Sequence, residues 1–201
     1  MEEQKNIDLA AWEALEQRCR DCRACPLGAS KTNTVFGTGS RQASLMFVGE
    51  APGEQEDKMG IPFVGKAGQL LDKFLFAVDI PREDVYIANI LKCRPPNNRD
   101  PEPTEEDACI GYLREQFRLI RPKVLVCLGR ISAMRLIKPD FRITREHGQW
   151  FYKGGIWMTA VYHPAALLRD PIKKEDMLRD MMAVRDKLED MEGESRNGQS
   201  S

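Results

Sequence analysis

Leu45-Met46-Phe47-Val48 is an unbroken apolar run that empties into Gly49-Glu50-Ala51-Pro52-Gly53-Glu54-Gln55-Glu56-Asp57. Four apolar residues in succession, without the polar alternation of a half-exposed strand, predict a strand covered on both faces. Three further runs repeat the pattern: Val85-Tyr86-Ile87-Ala88, Val124-Leu125-Val126-Cys127-Leu128 and Ile156–Val161. Helical patterns lie between them. Leu70, Leu71, Phe74, Leu75 and Val78 recur on one helical face. Thr104-Glu105-Glu106-Asp107 resembles a capping box, with Asp in place of the usual Glu or Gln. It heads a helix bearing Ile110, Leu113, Phe117 and Ile120 that stops before Pro122.

Leu9, Trp12 and Leu15 mark a short first helix over 8–18, and residues 28–41, rich in Gly, Ser and Thr, read as a loop. Met177, Leu178, Met181, Met182 and Leu188 line a last helix over about 173–191, with the methionines as core filler. This alternation predicts one α/β domain over residues 1–192, three-layer α/β/α with a central four-stranded parallel sheet. A polar, disordered tail is expected over 193–201.

A parallel sheet binds ligands at the carboxyl ends of its strands. Glu50 follows the first run, Asn89 the second and His163-Pro164 the fourth. Taken singly each has a bland reading, the histidine as a loop hydrogen-bonder and Gly-Glu-Ala-Pro-Gly as a turn. Three polar groups from distant parts of the chain converging on one sheet edge point instead to a site.

Composition narrows the class. The 201 residues suit one domain with a substantial core. The polar N-terminus cannot be a secretory core segment, and no apolar run approaches membrane-spanning length. Six cysteines without a signal argue for a reducing cytoplasm. The net charge of −1 gives no global reason to expect a polyanion. Between Ile110 and Lys153, however, ten Lys or Arg face three acids. Such a stripe suits phosphate contacts, although a charged face is more often simply solvated.

Cys22 and Cys25 form a C-x-x-C step, Cys19 extends it backwards, and Cys93 and Cys109 follow far along the chain. Thiolates at such spacing hold zinc or an iron–sulfur cluster. The second pair is not C-x-x-C, which counts against a zinc ribbon. Spacing leaves open which two of the first three are ligands, and scattered reduced thiols are the bland alternative.

From Cys22 to Arg169 the chain resembles the family 4 uracil-DNA glycosylases, iron–sulfur members of the uracil-DNA glycosylase superfamily. The resemblance rests on Cys22-Arg23-Ala24-Cys25-Pro26-Leu27, on Gly49-Glu50-Ala51-Pro52-Gly53 with Glu56-Asp57, and on Gly60-Ile61-Pro62-Phe63-Val64-Gly65-Lys66-Ala67-Gly68. It continues through Asn89, Cys93-Arg94-Pro95-Pro96, Cys109 and His163-Pro164. It implies a structural [4Fe–4S] cluster on Cys22, Cys25, Cys93 and Cys109, with Cys19 an extra and Cys127 in a core strand.

The implied substrate is uracil-containing DNA, single- or double-stranded, from which the enzyme, expected as a monomer, flips uracil into a pocket and hydrolyses its N-glycosidic bond. His163 is then suited to donate to uracil O2, and Asn89 to pair with N3–H and O4. Phe63 offers a flat face to the base, and Glu50 positions water and stabilises the cationic sugar. Ala51 occupies a position where other branches carry Asp. Gly53 replaces an aromatic ring that blocks the thymine methyl, and by resemblance Glu56 takes over that exclusion. Leu167 is expected as an apolar wedge in the duplex with Arg169 on a phosphate, against the alternative that Leu167 and Leu168 begin a helix and pack inward. Without a Schiff-base lysine or a helix-hairpin-helix signature, the product is an abasic site in an uncut strand.

Two rivals belong to other classes. Gly60–Ala67 nearly spells a P-loop of a nucleotide hydrolase, but Ala67 stands where Mg²⁺ binding needs Ser or Thr. A redox iron–sulfur protein would suit the three-cysteine run but leave Glu50, Asn89 and His163 without a task. A noncatalytic DNA-binding relative is a milder variant.

Overall fold

The buried runs become strands and the amphipathic stretches pack across them. The computed structural model describes residues 8–197. In chain order its helices and strands are α1 (Leu9–Arg20), α2 (Leu27–Ser30), β1 (Thr38–Gly39), β2 (Leu45–Gly49), α3 (Glu54–Met59), α4 (Lys66–Ala77), β3 (Tyr86–Asn89) and α5 (Pro103–Ile120). There follow β4 (Val124–Leu128), α6 (Arg130–Leu136), α7 (Ile143–Glu146), β5 (Phe151–Lys153), β6 (Ile156–Val161), α8 (Pro164–Arg169) and α9 (Lys174–Asn197).

The sheet order is β1-β3-β2-β4-β6-β5. The expectation of four strands is corrected to a mixed sheet of six. β3, β2, β4 and β6 run parallel, and β1 and β5 lie antiparallel on the two edges. β1 and β5 escape sequence reading because two or three residues carry no measurable periodicity. Alternate residues of the central strands feed two cores. Met46, Val48, Ala88, Leu125 and Cys127 meet Trp12 and Leu15 of α1, Ile110 and Leu113 of α5 and Ala133 of α6. Leu45, Phe47, Ile87, Val124 and Val126 meet Leu71, Phe74 and Leu75 of α4 and Met177, Met181 and Val184 of α9.

Capping decides where the helices begin. Asp8 Oδ1 accepts from the Ala11 amide at 2.9 Å and caps α1. The capping box of α5 lies earlier than Thr104: Glu102 is the cap, Pro103 opens the helix and Glu105 closes the box. Proline at the first helical position needs no N–H partner and outcompetes Thr104 as the start. The 28–41 segment, expected as loop, takes in most of α2 and all of β1 and is tied down by Asp57, whose Oδ1 accepts from the Thr32 amide at 3.0 Å. At the other end no break marks the expected boundary after residue 192, since α9 runs on to Asn197. The remainder of the expected tail, 198–201, lies outside the described residues, as do 1–7 of the expected domain.

The connection leaving β2 packs α4 on one face, while that leaving β3 packs α5 on the other. The chain moves from β2 out to β3 and then crosses back over β2 to β4, so the strand order reverses at β2, the kind of switch point at whose carboxyl end open α/β sheets bind ligands.

Candidate active site

Glu50, Asn89 and His163, from the ends of β2, β3 and β6, line one cleft of about 430 Å³ together with Phe63, Gly53, Glu56 and Ala51. The convergence expected from strand order is thus present. The loop after Cys93, quoted above only for its cysteine motif, adds Pro95, Asn98, Arg99 and Asp100 to the lining. Its signal lies in Asn97-Asn98, adjacent asparagines that both take left-handed backbone at φ 54° and 53°. Asparagine tolerates that region better than most residues.

Asn89 is the most telling member. Its side chain is 2% exposed and Oδ1 is buried without a hydrogen-bond partner. A buried acceptor left unmet costs about 1–3 kcal/mol, so one placed in a cleft is set for a ligand donor. Space beside it is kept by Gly49, where an added Cβ would come within 2.4 Å of Asn89 Oδ1 and 2.7 Å of Phe63 Cζ.

Phe63 itself is buried at φ 54°, a strained region for an aromatic residue. Two features hold it there. Arg82 Nη2 donates to the carbonyls of Pro62 and Phe63 at 3.1 Å each while Nη1 pairs with Asp72. Gly68 packs so tightly beneath that a Cβ would meet the Phe63 carbonyl oxygen at 1.8 Å.

His163 caps α8 with its own ring: Nδ1 accepts from the Ala165 amide at 3.1 Å. Nδ1 must then be unprotonated, which leaves the ring hydrogen on Nε2. Burial first, and the Arg169 cation second, pull its pKa down to about 4, against the opposing charge of Glu56. His163 is therefore a neutral Nε2–H donor at physiological pH. Its close approach to the sheet depends on Gly129, whose left-handed φ of 94° and missing Cβ admit the His163 Cβ. The ring lies 5.7 Å from that of Phe63.

Glu50 is half-buried, and its pKa is pushed up to about 7, by burial first and then by Asp100, with Arg130 pulling the other way. Asp100 and Arg130 pair with each other at 3.2 Å. A carboxyl poised near neutrality is suited to acid–base or electrostatic work.

Glu56 does more than face the cleft. Its Oε1 accepts from the Val64 and Gly65 amides at 3.0 and 2.9 Å, which pins the turn after Phe63 to α3. Its Oε2 lies where a side chain on Gly53 would be, 2.7 Å from a built Cβ. The expectation for Leu167 is corrected: it is 0% exposed and packs in the α4–α9 core. The neighbouring Leu168 is the exposed leucine, at 46%. One turn of helix decides between them, because only the side of α8 turned from α4 faces outward. Arg169 is among the residues that line the cleft.

Cys22, Cys25, Cys93 and Cys109 line a second, enclosed hollow, and Cys19 joins them with Tyr112 and Lys92. All are free thiols, and Cys127 is apart in β4. Backbone amides point at two of the sulfurs, Ala24 N to Cys22 Sγ at 3.5 Å and Lys92 N to Cys109 Sγ at 3.3 Å. Among the described residues no three His, Cys, Asp or Glu side chains gather closely enough to hold one metal ion. Four thiols lining one hollow are a donor set that suits an iron–sulfur cluster, which takes each thiolate on a different iron.

Residues 36–184 match the family model described as the Uracil DNA glycosylase superfamily. The chain is 46% identical over 184 residues to a type-4 uracil-DNA glycosylase of Archaeoglobus fulgidus, covering 86% of this chain and 92% of that one. It is 44% identical over 162 residues to a type-4 enzyme of Thermotoga maritima, covering 79% and 83%. A third type-4 enzyme, from Sulfurisphaera tokodaii, is 42% identical over 183 residues, covering 87% and 83%.

Proposed function

The chain belongs to the uracil-DNA glycosylase superfamily, and from that premise we propose how its own residues divide the reaction. It is a uracil-DNA glycosylase of DNA repair, a hydrolase of N-glycosyl bonds acting on DNA. Uracil must leave the base stack to be reached, and cleavage leaves negative charge on the base and positive charge on the sugar.

Asn89 reads the uracil edge: its orphaned Oδ1 accepts from N3–H and its amide donates to O4. That unmet buried acceptor is the observation that carries the reading. Phe63 stacks on the base, and the Nε2–H of His163 donates to O2 as anionic charge grows there. Glu50 faces the sugar, where its carboxylate stabilises the cation and orients the water. Glu56, with Gly53 and Ala51, shapes the pocket near C5. On the DNA side Arg169 takes a phosphate and Leu168, rather than Leu167, fills the space of the extruded base. The founding test is an oligonucleotide with one uracil, incubated with protein and then cleaved with alkali. Strand scission only after alkali is the expected result, and an intact uracil strand overturns the assignment.

The charge of Glu50 predicts a pH profile. Its raised pKa means that the carboxylate form grows as pH climbs through about 7. The kcat/KM for uracil DNA, which reports the free enzyme, is expected to rise across that range and level off above it. His163, neutral well above about 4, adds no limb there. Glu50→Gln is expected to be slow and flat over the same range, and an unchanged slope in that variant removes Glu50 from the profile.

Cys22, Cys25, Cys93 and Cys109 are proposed to hold a [4Fe–4S] cluster, which when bound would tie the segment between α1 and α2, the loop after β3 and α5 together. Protein purified without oxygen is expected to be brown, with about four iron per chain and no zinc. Cys93→Ala or Cys109→Ala should bleach it and lower Tm, whereas Cys19→Ala and Cys127→Ala should retain the iron. A colourless protein loaded with zinc refutes the cluster.

A further inference from the structure

Lys92 is 1% exposed. Enclosing an ammonium group in a core is costly unless partners meet it, so what it touches is informative. Its Nζ donates to the backbone carbonyl of Asn89 at 2.9 Å and to Gln116 Oε1 at 2.7 Å. Gln116 is itself fixed, its Nε2 donating to the Phe36 carbonyl and the Tyr86 hydroxyl at 2.9 Å each. Each polar atom in this chain of contacts has at least one partner within the core.

The carbonyl that Lys92 takes is one the sheet leaves over. β1 pairs only with Tyr86 and Ile87 of β3 and stops short of Asn89. On the β2 side the amides of Ile90 and Leu91 donate to the carbonyls of Gly49 and Glu50, both at 3.0 Å. The backbone leaving Asn89 is thus clamped by Lys92 on one side and by β2 on the other. Since Asn89 Oδ1 has no protein partner, the backbone and the packing around it set its aim. At its other end Lys92 abuts the thiol hollow: its own N–H donates to Cys109 Sγ, and Cys93 is the next residue.

We propose that Lys92 is a positioning residue for uracil recognition, a strut that holds the peptide of Asn89 at the aim its side chain needs and anchors it beside the thiol hollow. The proposal rests on Asn89 reading the uracil edge. Lys92 touches no substrate; it acts through Asn89.

A double-mutant cycle on the iron-loaded protein tests it. Lys92→Met keeps the apolar stem and removes the donors. It is expected to lower kcat/KM on a uracil oligonucleotide and weaken inhibition by free uracil, each about ten-fold, with iron content unchanged. Added to Asn89→Ala, the same change is expected to cost less than about two-fold, because residues acting through one contact are not additive. Gln116→Leu, which frees Nζ from a helix that does not read uracil, should give the same pattern more weakly and serves if Lys92→Met does not fold. Multiplying losses, or losses that follow iron content or Tm while uracil inhibition stays normal, overturn the strut. The Asn89→Ala arm alone separates the two levels: a normal rate there overturns the reading of Asn89, whereas a slow Asn89→Ala with an independent Lys92→Met loss overturns only the strut.

Discussion

His163→Ala is expected to slow single-turnover uracil excision by about a hundred- to a thousand-fold, the scale lost when one group stabilising a developing anion is removed. Affinity for uracil-containing DNA should change little, because the Nε2–H meets charge that exists only as the bond breaks. The geometry prepares this role without a proton transfer. Nδ1 is occupied by the Ala165 amide and the ring is neutral, so Nε2 already carries its hydrogen before substrate arrives. Glu50→Ala is expected to lose a similar factor from the sugar side of the same bond. Rates and binding curves measured on one uracil duplex decide the matter. Normal excision in both variants would abandon the mechanism, since these residues supply the two charge-stabilising groups assigned to the bond.

Asn89→Ala should cost about a hundred-fold or more in kcat/KM and should weaken inhibition by free uracil in parallel. The site built to meet N3–H and O4 then leaves both unpaired in a dry pocket, which is the strongest form of rejection available to hydrogen bonding. Gly49→Ala offers a control that removes no polar atom. Its methyl would overlap Asn89 Oδ1 and the Phe63 ring, so the same loss is expected from filling the space alone. If uracil inhibition survives both changes, the base does not bind between Asn89 and Phe63.

The four central strands and the convergence of Glu50, Asn89 and His163 were legible because they rest on properties each residue carries locally. Continuous apolar runs declare doubly covered strands, and the residue after each run falls at a strand end wherever the sheet is parallel. What stayed hidden depends on partners distant in sequence. Leu167 and Leu168 are adjacent and chemically identical, and only the packing of α8 on α4 tells which is buried. Glu56 reads as a pocket residue, yet its grip on the Val64 and Gly65 amides exists only once the turn after Phe63 has taken its left-handed form. Lys92 shows the same limit. In a sequence a lysine beside a cysteine reads as surface, and nothing local announces that Gln116 and the Asn89 carbonyl wait for it inside. The helix starts divide similarly: Asp8 caps α1 as its residue type suggests, whereas Pro103 displaces the start of α5 from the more familiar Thr104.

The two brief antiparallel strands at the sheet margins bear on how copies of the protein behave when crowded. A long open margin of parallel strand would offer a row of free amides and carbonyls to any neighbour, the usual seed of edge-to-edge aggregation. Here β1 ends after Thr38 and Gly39, and β5 after three residues closing on Lys153. Another chain could form only two or three ladder bonds there before meeting a turn, and at one margin it would meet a lysine as well. Ladder pairing between copies is therefore short at both margins of the sheet.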